Sequence, residues 1–127
     1  MLQFPRLFKE GRIGRMNLKN RIIFPPMATH LATEEGDVTE QLIDHYATRA
    51  KGGVGLIVVE GSFSDITGHP KRIALNNDRC IPGLQRLVEA IHEGGAKAVI
   101  EVNTHMGRQD QNPMSPSDVP HPITGVK

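Results

Sequence analysis

The chain has 127 residues and a formal net charge of +1, which allows one ordinary domain and leaves no electrostatic footprint for nucleic acid. A single cysteine, Cys80, excludes an internal disulfide framework and suits a reducing compartment, so a cytoplasmic protein is expected. No apolar run approaches the roughly 20 residues of a membrane helix, the first residues lack the apolar core of a signal peptide, and few aromatics disfavour a base-stacking surface.

Gly11, Gly14 and Asn17 make residues 11–19 turn-rich, which predicts a small hairpin. Residues 21–24 then read as a short strand, stopped by Pro25 and Pro26. After a polar loop, Thr39 is a good N-cap for a helix whose apolar face is Leu42, Ile43, Tyr46, Ala47 and Ala50. Gly52 and Gly53 end that helix through a left-handed cap. Residues 54–59 are almost wholly apolar, as expected for a parallel strand covered on both faces, and the strand ends at Glu60, Gly61 and Ser62. A long polar loop runs to Asp78, within which Lys71 and Arg72 read as a solvated pair. Leu84, Leu87, Val88 and Ile91 mark a second helix, with Pro82 in its first turn and Gly94 and Gly95 at its end. The third strand spans residues 97–103, and Pro113, Pro116, Pro120 and Pro122 make the remainder a loop.

Alternating strands and helices imply a parallel α/β sheet, which both a doubly wound fold and a barrel satisfy. In either, ligands bind beyond the carboxyl ends of the strands. That brings together residues 25–30, 60–62 and 103–108. Gly61 lets a planar ligand approach the backbone, although it is equally a plain turn glycine. His30 and His105 follow the first and third strands and are the sharpest polar candidates, each also compatible with an ordinary loop histidine. His45 and His92 lie on helices and read as surface residues, while His69 and His121 precede prolines in loops. Glu60 is expected to be partly buried, accepting backbone hydrogen bonds at the rim. Gly52, Gly53 and Gly55 precede a strand, whereas a dinucleotide phosphate loop must follow one. No CxxC or HExxH spacing supports a zinc site, and a metal is not expected.

Together these pieces resemble the old yellow enzyme family of NADH:flavin oxidoreductases and dienoyl-CoA reductases. The resemblance is carried, in the family's order, by Asn20-Arg21-Ile22-Ile23 with Pro26-Met27, by Val38-Thr39 with His45-Tyr46, and by residues 49–57. It continues with Glu60-Gly61, with His105-Met106-Gly107-Arg108-Gln109, and with Ser115-Pro116-Ser117-Asp118-Val119-Pro120. It implies that residues 1–127 are the N-terminal part of an FMN-binding (β/α)8 barrel, which in complete form needs roughly 250 residues. Pro26, Met27, Ala28, Gly61 and Glu101 would face FMN, with His30, His105 and Arg108 on the substrate side. NADH or NADPH would be the reductant and an activated alkene or similar small molecule the acceptor. Catalytic residues are expected beyond Lys127, and an iron–sulfur cluster only if a longer parent carries later domains.

Three positions depart from the family pattern. Ala28 stands where many members place Cys or Thr. A Gln common in the third strand falls on Val102 by ungapped counting, or on Glu101 if Thr104 is an insertion. His30 lies near a position that is often aromatic. Two other readings of the residues remain: a non-catalytic half-barrel that acts only by pairing with a partner chain or itself, and a metal-assisted hydrolase built on His30, Glu60 and His105.

Overall fold

A computed structural model describes residues 4–64 and 70–103. The predicted hairpin is present as β1 (Gly11–Ile13) and β2 (Met16–Leu18), antiparallel with Ile13 opposite Met16. Gly14 takes the turn at φ +56°, a conformation open to glycine without steric cost. Asn20 then fixes the entry to the main sheet. Its amide donates to the Gly53 carbonyl at 2.7 Å and its side-chain oxygen accepts from Ile22 N at 3.1 Å.

Three strands form a parallel sheet in the order β3 (Ile23–Phe24), β4 (Leu56–Phe63) and β5 (Lys97–Asn103). β5 has the predicted bounds. β3 stops at Pro25 as predicted but begins two residues later than expected, where Ile22 N is taken by the Asn20 side chain at 3.1 Å. β4 begins later and ends later: Glu60, Gly61 and Ser62 belong to the strand. The register slips between Val59 and Ser62, so one bulge residue is absorbed before Ser62 pairs with Val102 and Phe63 with Asn103. Polar residues and a glycine concealed this extension from a hydrophobicity pattern.

Helices α1 (Glu40–Lys51) and α2 (Ile81–Glu93) connect the strands. The Thr39 side chain accepts from Leu42 N at 3.2 Å, as the cap rule requires. At the other end Gly52 stays right-handed and Gly53 carries the positive φ of +101°; Gly94 and Gly95 divide the work likewise, with Gly95 at +78°. Leu42, Ile43, Tyr46 and Ala50 of α1 meet Leu87 and Ile91 of α2 over Ile57 and Val59 of β4, with Ile73 and Ala96 closing the cluster. By strand alternation, Leu56 and Glu60 point to the opposite side of the sheet.

One expectation needs correction here. The segment after β4 is not simply polar. Phe63 N donates to Ile73 O at 2.8 Å, Leu75 N donates to Phe63 O at 2.7 Å, and Ile73 is wholly buried. Gly94 ends α2 hard against α1: a side chain there would overlap the Cβ of Ala50, where the ends of the two helices touch.

Candidate functional site

The parallel strands present their carboxyl ends on one side, and the bulge in β4 turns Gly61 toward that side. A Cβ built on Gly61 would overlap the Asn103 amide nitrogen and lie 3.2 Å from both Arg72 Nη2 and Glu101 Oε2. A carboxylate, an amide and a guanidinium therefore converge over one glycine. Arg72 Nη2 also approaches the Gly61 carbonyl at 3.4 Å, and its guanidinium lies 5.2 Å from the centre of the Phe63 ring. The geometry separates the two third-strand alternatives: Glu101 shares the mouth with Gly61, while Val102 is one residue out of phase and 62% exposed.

Glu60 is fully buried, more so than the sequence suggests. Its backbone N–H donates to the Tyr46 hydroxyl at 2.8 Å, its carbonyl accepts from Ser62 Oγ at 2.9 Å, and its Oε2 accepts from the Thr29 backbone N–H. Among the described residues Oε1 is enclosed without a hydrogen-bond partner, as is Arg72 Nε. Such orphaned atoms are uncommon in folded proteins. Two of them at one rim, with opposite needs, suit a polar ligand or ordered water.

Burial pushes the Tyr46 hydroxyl up to about 12. Burial also lowers the His45 imidazole, followed by the positive charge of Arg49, with Glu60 pulling the other way. His45 is thus not a plain surface residue: it stands edge-on to Phe24 at 6.1 Å and to Tyr46 at 5.1 Å.

Of the sequence candidates, Pro26 is half-buried, and Met27, Ala28 and His30 are exposed on the loop after β3. His30 adopts φ +57°, unusual for a residue with a side chain. The Gly61 and Glu101 candidates meet; His105 and Arg108 lie outside the described residues. Among the described residues no three His, Cys, Asp or Glu side chains gather as metal ligands, and no helix is long and apolar enough to cross a membrane. Sequence reasoning missed Arg72, and it placed Thr29 and Asn103 within the mouth segments without giving either a role. Arg72 was obscured because a basic pair in a loop normally faces water, and only the return of Ile73 to the core turns it inward.

Three parallel strands in sequential order, flanked by two helices and with polar side chains collected at their carboxyl ends, match the opening part of a (β/α)8 barrel. A model of the NADH:flavin oxidoreductase / NADH oxidase family matches residues 6–125. The NADH oxidase of Thermoanaerobacter brockii is 43% identical over 138 aligned residues, covering 100% of this chain and 21% of that protein. The old yellow enzyme homologue from Zymomonas mobilis superposes with a TM-score of 0.72 at 30% identity, over 82% of this chain and 29% of that one. The old yellow enzyme from Trypanosoma cruzi gives 0.73 at 26% identity, over 94% and 36%. The chain belongs to the NADH:flavin oxidoreductase / NADH oxidase family, whose members use FMN with NADH or NADPH. It spans about a fifth of the length of the Thermoanaerobacter relative.

Proposed function

We propose that this chain builds the first wall of an FMN-dependent oxidoreductase that takes hydride from NADH or NADPH and delivers it to an activated alkene or similar electron-poor small molecule. The observation that carries the reading is the convergence of Glu101, Asn103 and Arg72 over Gly61. The pyrimidine edge of a flavin alternates acceptors with one N–H donor. A carboxylate suits that donor, and an amide and a guanidinium suit the acceptors. Arg72 also places positive charge where a reduced flavin gathers electron density. Pro26, Met27 and Ala28 offer apolar contact to the ring, and Ala28 brings no polar group, so polar tuning falls to the Gly61 cluster. FMN supplies the hydride chemistry when bound; the chain's residues supply orientation and electrostatics. His30, His105 and Arg108 are assigned to the substrate side. The single cysteine supports a cytoplasmic setting.

The test is a hybrid in which this chain replaces the matching segment of the Thermoanaerobacter NADH oxidase. A folded hybrid should retain stoichiometric FMN that NADH bleaches, and Glu101→Leu should release flavin. A folded hybrid without flavin overturns the reading.

A second reading has its own observation. Among the described residues β3 and β5 each pair on one side only, while Ile23, Ile100 and Val102 are exposed. Leu84, Leu87 and Val88 with Ala98 and Ile100 line an apolar hollow beside β5. Open edges and uncovered apolar faces favour a wall that works only when further strands join it, from the same chain or another.

A further inference from the structure

The geometry points to Glu60 as a positioning residue: its buried carboxylate holds residues 25–29, the turn expected to face the flavin, against β4. This rests on the flavin reading above and adds to it the part that sets the turn.

The turn has little else to hold it. β3 contributes only Ile23 and Phe24 to the sheet. The next two residues, Pro25 and Pro26, cannot donate hydrogen bonds. Met27 and Ala28 are exposed. The next anchor along the chain is Thr29 N–H on Glu60 Oε2. Thr29 Oγ1 in turn accepts from Leu31 N at 3.2 Å, so fixing Thr29 also fixes the exit of the turn and the base of His30. Glu60 cannot drift, because Tyr46 of α1, itself fully buried, holds its backbone N–H. The strut therefore runs from the helix layer through the sheet to the mouth: Tyr46, Glu60, Thr29.

A purely packing role would be served better by a neutral side chain, since a buried carboxylate gives up its hydration. Here the second oxygen, Oε1, also has no partner among the described residues. A structure that keeps such a group holds it for what it positions and for the donor its free oxygen will accept, from a ligand or from ordered water.

The experiment begins with the full chain. In the wild type, the Thr29 amide should exchange with solvent as slowly as the amides of β4. Glu60→Leu, checked for fold by circular dichroism, should speed Thr29 exchange by about tenfold or more while α1 and β4 remain protected. Glu60→Gln, which keeps an acceptor oxygen, should restore protection. In the flavin-bearing hybrid, Glu60→Leu should weaken FMN by about tenfold and shift its visible absorption band, and Glu60→Gln should recover both. A freely exchanging Thr29 amide in the wild type overturns the inference even if Glu60→Leu does not fold. A folded Glu60→Leu hybrid with wild-type FMN affinity and spectrum overturns it too. A wild-type hybrid without FMN defeats the flavin reading instead, and Thr29 exchange in the chain still decides the strut.

Discussion

Two glycines separate site from scaffold, and substituting each by alanine tests the separation. At Gly94, the new methyl would overlap Ala50 Cβ and lie 2.9 Å from Lys51 N and 3.0 Å from Ala50 C. Carbon atoms prefer separations of about 3.5–4.0 Å, and the obstacles include helix backbone. The ends of α1 and α2 must part, and overpacking of this kind costs about 1–3 kcal/mol. At Gly61, the obstacles are the tips of Asn103, Arg72 and Glu101. Those side chains can swing away, so the stability cost should stay below about 1 kcal/mol, but the polar cluster is dispersed. Urea unfolding followed by circular dichroism measures the first quantity, and FMN bound per folded hybrid chain the second. Gly94→Ala should lose stability and keep flavin in the molecules that fold; Gly61→Ala should keep stability and lose flavin. Equal stability losses, or full flavin retention by Gly61→Ala, would refute the assignment of the two roles. Gly11→Ala is the control, since its Cβ would meet only ordinary contacts from 3.4 Å outward.

Tyr46→Phe removes the acceptor for the buried Glu60 N–H and should cost about 1–3 kcal/mol in urea unfolding; an unchanged midpoint would count against the strut. Because folding raises Tyr46 from 10.0 to about 12, its contribution is complete below pH 10 and is lost as pH climbs through 12, a fall that a pH series should show in the wild type and not in Tyr46→Phe. His45 is lowered from 6.5, so its contribution is complete above that pH and declines as acid protonates it; His45→Gln should flatten that limb of the stability curve. Gly36→Ala combines φ +86° with a Cβ 2.6 Å from Ala74 Cβ and should cost more than about 3 kcal/mol, whereas Gly14→Ala, at φ +56° with nothing within 4 Å, should show only the left-handed penalty of about 1–2 kcal/mol. Light scattering after gel filtration should find the chain self-associating with concentration, and Val102→Lys should reduce it by placing a charge on the open β5 edge; a monomer at all concentrations would show that the edge is harmless.

The scaffold was readable where period and punctuation agree. The α1 stripe from Leu42 to Ala50, the Thr39 cap and the bounds of β5 needed no tertiary information. The site was readable only in part. Gly61 and Glu101 are named from chain order plus resemblance, but that Glu101 and not Val102 lies beside Gly61 depends on which way each β5 residue faces, which the sequence does not show. Arg72 and Thr29 carry no local signal. Each is placed by something distant in sequence: Arg72 by the return of Ile73 to the core, Thr29 by the carboxylate of Glu60. His45 was misjudged because helical position alone does not reveal that Phe24 stands beside it.

The first two loops of the mouth are joined to each other. Ala74 N donates to Gly36 O at 3.0 Å, Arg79 reaches the Glu35 carbonyl at 3.3 Å, and Lys71 and Glu34 stand 3.6 Å apart. Exposed ion pairs add little by themselves, but the backbone bond and the buried Ile73 beneath it couple the two segments. A loop that must be ordered by its ligand subtracts that ordering from the affinity, and a loop ordered beforehand does not. For residues 34–37 and 71–79 that ordering is supplied by folding itself. A ligand that meets these segments would meet a surface already set, and its affinity would carry no cost for arranging them.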